Sequence, residues 1–256
     1  MTTPAEIVAN GWRSNHLHAL DDHPFVIAAP PKCGCRTVVR FMLRASGIDD
    51  TPLSNHQAQQ RAHDATRLSR FEPAERRARL ERGPVLGVVR DPLSRIASGF
   101  ADRIVRMRRF ELNAPLFDAI RGPGHDPDVG VTFREFVHHL AGARDQQLDQ
   151  HWQPIAHIFA GLAFDRLVDL TGLAGLLREL DAAHRLSASP PAYEPPRTES
   201  SWTGEMLTDV PSGELRARGI VPPAAALYTP ELGALVLERY ADDAALSNAV
   251  PLSRAG

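Results

Sequence analysis

The chain has 256 residues, 43% of them hydrophobic and 23% charged, with a net charge of −2 at pH 7. That length can bury one good-sized core or at most two small ones, and the charge balance offers no basic field for DNA, RNA or an anionic membrane. No apolar run approaches the roughly 20 residues of a membrane-crossing helix. The opening stretch MTTPAEIVANGWRSNHLHALDDHP lacks the basic-then-apolar layout of a secretory leader, so the cytoplasm is the expected compartment.

In chain order, the first expected element is Pro24–Ala29, an apolar run with a β-branched pair and a double proline behind it, which predicts a buried strand. Thr37–Ala45 then carries helical spacing, with Gly47 as its stop. A polar stretch from Asp49 to Gln60 precedes a charged helix over Pro73–Glu81, ended by Gly83-Pro84. Pro84–Val89 predicts the second strand, broken by Arg90-Asp91-Pro92, and Leu93–Phe110 predicts one long helix with Pro92 near its first turn. The Gly- and Pro-rich residues 111–130 are expected to be an insertion loop. Thr132 caps a helix running to Leu140, Phe164–Leu170 predicts a third strand and Leu173–His184 a helix. Residues 186–204 read as an irregular loop, and Pro230 to Leu246 as a closing amphipathic helix. Strands alternating with helices predict an α/β fold: three-layer and P-loop-like, with a mainly parallel central sheet flanked by helices, in a single domain.

Of the 29 basic residues, 28 are Arg, and Lys32 is the lone lysine. The two cations are not interchangeable where a compact, mobile ammonium is needed. A lysine kept within the loop Pro31-Lys32-Cys33-Gly34-Cys35-Arg36-Thr37 therefore marks that loop as functional. Strand, tight loop and helix is the arrangement that aims backbone N–H groups and a helix N-terminus at a phosphate. Both cysteines, Cys33 and Cys35, lie here as well. Residues i and i+2 are badly placed for a disulfide, and two thiols fall short of the four ligands of a structural zinc site. They read instead as small side chains that let backbone approach a ligand. The loop is not a Walker A sequence, which puts its lysine at the far end, and no acidic strand end is evident to hold magnesium. No metal is expected.

The second junction is Val88-Val89-Arg90-Asp91-Pro92-Leu93-Ser94-Arg95-Ile96-Ala97-Ser98-Gly99-Phe100. Arg90 leaves the strand, and Ser98 lies about two turns along the helix that follows. A guanidinium can hold a phosphate as a bidentate fork, with a hydroxyl adding one more bond. The plainer reading is a local Arg90–Asp91 ion pair and an incidental Ser98. In open α/β sheets ligands bind beyond the carboxyl ends of strands, where both junctions are expected.

On these residues the chain resembles the sulfotransferases that use 3′-phosphoadenosine 5′-phosphosulfate (PAPS). The first loop is similar to their P-K-x-G-x-[ST] 5′-phosphosulfate loop, and Val88–Phe100 to their V-R-[DE]-P-x-x-R-x-x-S-x-[YF] 3′-phosphate motif. Asp149-Gln150-His151-Trp152-Gln153-Pro154 resembles the D-x-H-W-x-P segment of the carbohydrate branch, and the likeness runs over about 24–245. The resemblance implies that Lys32 contacts the bridging oxygen and offsets charge on the departing nucleotide. It implies that Gly34 with its neighbours Cys33 and Cys35 offers backbone N–H groups to the 5′-phosphate, that Thr37 adds a hydroxyl, and that Arg90 and Ser98 hold the 3′-phosphate. Cys35 and Arg36 stand where the family commonly has Ser or Thr. Backbone donors survive that change, and Arg36 either supplies a charged fork or points outward.

An acceptor hydroxyl must lose a proton as it attacks, and histidine is the usual agent. His63, between the two motifs, and His151, beside Trp152, are equal candidates, with His56 a weaker one. His138 and His139 read as surface or packing residues. The implied activity is sulfuryl transfer from PAPS, leaving PAP, to a hydroxyl of a carbohydrate or small metabolite. A non-catalytic nucleotide-binding module and a P-loop small-molecule kinase are the alternatives.

Overall fold

The computed structural model describes residues 2–106, 110–189 and 202–250. In chain order its helices and strands are α1 (Pro4–Ala9), β1 (Leu17–Ala19), β2 (Val26–Ala28), α2 (Cys35–Ala45), α3 (Asn55–Ala65), α4 (Pro73–Arg82), β3 (Val85–Val88) and α5 (Pro92–Gly99). There follow α6 (Phe110–Arg121), α7 (Phe133–Gly142), α8 (Ile155–Phe159), β4 (Arg166–Val168), α9 (Leu173–His184), α10 (Ser212–Ala217), α11 (Pro230–Arg239) and α12 (Ala241–Asn248). Two compact units compose the chain, one drawn from 1–90, 154–194 and 245–256, the other from 91–153 and 195–244.

The first unit holds an α/β sheet in the order β1-β2-β3-β4, flanked by helices. β2, β3 and β4 run parallel, and β1 pairs antiparallel with β2, so the sheet is mixed. The three parallel strands are the ones expected from sequence, each trimmed to three or four residues. Every residue of β2 and β3 is buried, as the unbroken apolar run of a parallel strand covered on both faces requires. Gly87 in β3 is needed for that cover: a Cβ there would lie 2.6 Å from Leu167 Cδ2 and 2.8 Å from Phe164 Cδ1. β1 was not expected. Its central His18 is buried, bonded through Nδ1 to Thr66 Oγ1 at 3.0 Å, and burial pushes its pKa down to about 3.

α2 buries Val38, Val39, Phe41, Met42 and Leu43. The polar stretch after it is not all loop. Ser54 and Gln57 form a capping box that starts α3, whose Ala58 and Ala62 pack on Val39 and Leu43. Arg40 and Arg44 of α2 clamp the buried Asp50 carboxylate at 2.7 and 2.5 Å and so anchor the intervening turn.

The second unit is helical. The long helix expected over Leu93–Phe110 is α5 followed by a π-helical turn, Phe100–Arg106, which buries Phe100, Ala101, Ile104 and Val105. The expected loop at 111–130 is corrected at its start, where α6 extends to Arg121 despite Pro115, and turns begin only at Pro123. Thr132 caps α7 as expected, its hydroxyl accepting from Glu135 N–H while Glu135 returns a bond to the Thr132 N–H. The closing helix is two helices, α11 and α12. They break at Tyr240, which is buried and donates its hydroxyl to Trp152 O at 2.5 Å. Most of the irregular 186–204 segment, residues 190–201, lies outside the described residues.

Candidate active site

The loop after β2 turns through two left-handed residues, Lys32 at φ 70° and Gly34 at φ 75°. Glycine takes that conformation without cost, but a lysine there carries about 1–3 kcal/mol of strain, of the kind that gathers at ligand clamps. The turn is closed by Cys33 N–H donating to Pro30 O at 3.1 Å, and α2 opens with Thr37 N–H donating to Gly34 O at 3.0 Å. Gly34 is also sterically fixed, since a Cβ would come within 2.7 Å of Leu173 Cδ2 and 3.0 Å of Leu170 Cδ2. Cys33 is wholly buried and Cys35 half-buried, neither in a disulfide. Thr37 is half-buried in the first turn of α2, and Arg36 beside it is exposed. A helix start leaves N–H groups directed along its axis, whereas the Cys33 N–H, expected to face a phosphate, is engaged by Pro30 O.

Arg90, at the end of β3, is half-buried and donates from Nη1 to Lys32 O at 3.2 Å. The residues expected to recognise two different phosphates are thus joined by a direct bond. Arg90 and Asp91 turn to different partners: Asp91 Oδ2 accepts from Ser94 N–H at 2.8 Å and caps α5, whose first residue is Pro92.

In the second unit, Ser98 is half-buried in the last turn of α5. The helix is held by Arg95, which is fully buried, meets Asp243 Oδ2 at 3.4 Å and donates to Gln153 O at 2.7 Å. Arg95 lies within the second motif with no role legible from the sequence, and Asp243 carries no local signal at all.

The two histidines differ sharply. His63 is exposed on α3. His151 is half-buried and paired: its Nδ1 lies 2.5 Å from Asp149 Oδ1, which also accepts the His151 backbone N–H at 2.9 Å. Burial on its own would raise the Asp149 carboxyl, but the bonds from His151 outweigh it and hold it below the usual carboxylate range. An ionised carboxylate only accepts, so Nδ1 carries the hydrogen of that bond. Asp149 was legible in the D-x-H pattern but went unassigned. His56, the weaker candidate, is exposed on α3 as well.

Among the described residues no three His, Cys, Asp or Glu side chains group as a metal site, and no helix is long and apolar enough to cross a membrane. No solved structure matches the chain significantly. Carbohydrate sulfotransferase 14 of Homo sapiens is 27% identical over 147 residues, covering 56% of this chain and 39% of that protein. Carbohydrate sulfotransferase 14 of Danio rerio is 26% identical over 153 residues, covering 56% and 40%. Carbohydrate sulfotransferase 9 of Homo sapiens is 23% identical over 155 residues, covering 56% and 34%. The chain thus matches only about two fifths or less of the length of these relatives. A sulfotransferase family profile matches residues 15–166, more than half of the chain and a stretch that contains Lys32, Arg90, Ser98 and His151. This chain belongs to the sulfotransferase family.

Proposed function

We propose that the protein transfers a sulfuryl group from PAPS to a hydroxyl of a carbohydrate or small metabolite. The observation that carries this reading is the bond from Arg90 to Lys32 O at 3.2 Å, which ties the two donor motifs into one array. A nucleotide phosphorylated at two separate positions suits that array better than ATP does. The parallel strands β2, β3 and β4, with both loops at their carboxyl ends, support a P-loop-like, three-layer description of the fold.

Bound PAPS supplies a sulfuryl group on a phosphate leaving group, and the residues of this chain do the rest. Gly34 and the start of α2 hold the 5′-phosphate, while Arg90 and Ser98 hold the 3′-phosphate. Lys32 offsets the negative charge left on the phosphate oxygen as the S–O bond breaks. His151 takes the acceptor's proton at Nε2 as the new O–S bond forms, with Asp149 fixing its tautomer and stabilising the imidazolium. Sulfuryl transfer, like loose phosphoryl transfer, depends chiefly on in-line positioning and charge stabilisation. Of the two candidate bases, His151 has the oriented geometry and His63 does not.

Calorimetry with PAP, and with ATP plus magnesium, tests the donor. PAP is expected to bind and ATP not to compete; the reverse order would overturn the reading in favour of a kinase. A screen of labelled PAPS over glycans and metabolite extracts, with mass measurement of product, then reads turnover. PAP binding with no transfer to any acceptor would instead support a non-catalytic module. With an acceptor in hand, His151→Ala is expected to lower kcat about a hundredfold or more, and His63→Ala to leave it within about twofold.

A further inference from the structure

Arg67 follows α3 and is half-buried. Among the described residues its guanidinium makes one hydrogen bond, from Nη2 to Gln59 Oε1 at 2.9 Å, and its Nε is enclosed with no group accepting from it. The one charge that acts on it comes from Cys35, not from a carboxylate. The next arginines along the chain are differently placed. Arg70 pairs with Asp21 and Arg79 with Glu75, while Arg76 donates to the carbonyls of Ala9, Ser69 and Phe71. A guanidinium has five N–H donors and keeps its proton in proteins. Withdrawing it from water against a neutral amide is unfavourable, and burial pushes the Arg67 pKa down accordingly. A charge kept under those conditions is a charge held for an anion.

The position of Arg67 identifies which anion. It is the antiparallel bridge partner of His18, and His18 pairs with Ile27 of β2. Directly opposed residues share one face of a sheet. Arg67 thus stands two strand spacings, about 10 Å, from the strand that runs into the Lys32 loop. α3 turns back along α2: Arg40 donates to Asn55 Oδ1 at the start of α3, and Ala58, Ala62 and Ala65 pack with Val39 and Leu43. The end of α3, with Arg67 just beyond it, returns towards the first turn of α2, where the charge of Cys35 reaches Arg67. Also here are His18, uncharged because burial lowers its pKa to about 3, and the Thr66 hydroxyl that bonds it. Neither supplies a negative charge.

We propose that Arg67 is a further donor-site residue, its guanidinium held for the oxyanion seated on the Lys32 loop, the 5′ end of the nucleotide. Arg67 and Arg90 then serve opposite ends of one donor. The fork of a guanidinium matches phosphate oxygens in a way that a point charge does not. The 5′ placement rests on the sulfuryl-transfer reading, whereas the oxyanion class follows from the uncompensated charge beside the loop. Nothing in the sequence separates this arginine from the 27 others.

The test uses the full chain with Arg67→Met, which keeps bulk and removes the charge, and Arg67→Lys, which keeps the charge and loses the fork. Without ligand, Arg67→Met is expected to melt at or above the temperature of the unaltered chain, because a buried charge with no counter-ion is gone. A packing role predicts the opposite, and a fall of more than about 4 °C would overturn the proposal. Calorimetry with PAP is expected to show affinity weakened about tenfold or more in Arg67→Met and about threefold in Arg67→Lys, the scale of a charge-assisted hydrogen bond. Adenosine 3′-monophosphate, which has no 5′-phosphate, is expected to lose less than about twofold. Unchanged PAP affinity, or an equal loss for both nucleotides, would sink the 5′ assignment. Inorganic pyrophosphate tests the oxyanion class without a nucleotide: it is expected to raise the melting temperature of the unaltered chain and not that of Arg67→Met. Equal stabilisation of both would overturn the site. If PAP fails to bind while the pyrophosphate pattern holds, the donor placement falls and the oxyanion site at Arg67 stands.

Discussion

At the end of β2 the chain enters α2 through two left-handed residues, Lys32 and Gly34, closed by short-range backbone bonds. At the end of β3 it enters α5 through an aspartate cap and a proline already shaped for the first helical turn. The first junction stores strain within a few residues. The second has a relaxed backbone, and its helix is anchored from far along the chain, by Arg95 on Asp243, 148 residues away. A strained loop offers backbone donors in one fixed arrangement, whereas a relaxed junction offers side chains whose aim depends on how firmly their helix is held. The difference explains why one motif is readable locally and the other only in part.

The largest expected effect is on the anchor of the second junction. Asp243→Ala leaves the fully buried Arg95 guanidinium without its carboxylate and should cost about 3–5 kcal/mol in urea-induced unfolding. A loss under 1 kcal/mol would mean that the helix is held some other way. Next, Lys32→Ala at the first junction should lower sulfuryl-transfer kcat by about a hundredfold or more with the melting temperature little changed. Unaltered turnover would remove the role given to the lysine. Gly34→Ala should destabilise by about 1–3 kcal/mol, because alanine is strained at φ 75° and its Cβ would press on Leu173. If thermal unfolding is unchanged, the loop is softer than the comparison requires. The smallest effect is on the cap: Asp91→Ala should cost about 1 kcal/mol of stability, measurable by the same denaturant titration.

The sequence was most legible where the signal is local and periodic. Leu173–His184 is a helix over the residues expected, since its leucines recur at helical spacing and all of them bury. The parallel strands were legible as apolar runs ended by Pro or charge. β1 was hidden because three residues, one of them a histidine, make no pattern, and its burial comes from pairing with β2 and Thr66. α6 was hidden because Pro115 and the Gly-Pro residues beyond it read as loop, although one proline is tolerated inside the helix. In the site, Lys32 and Arg90 were visible from their motifs, but the bond between them was not. The bond that sets His151 apart from His63 depends on the position of Asp149. The Arg95–Asp243 pair joins residues too distant for any spacing rule.

The lone lysine gives the first junction its own reporter. A protease that cleaves only after lysine has one target in this chain, the Lys32–Cys33 bond. Such enzymes need an extended segment to enter their cleft, and Lys32 is held half-buried in a tight left-handed turn. Cutting must therefore wait for the turn to open, so the rate of a single cleavage, followed by mass, measures how often the loop comes undone. A ligand that closes on the loop should slow that cut in proportion to its occupancy, with no label and no acceptor required.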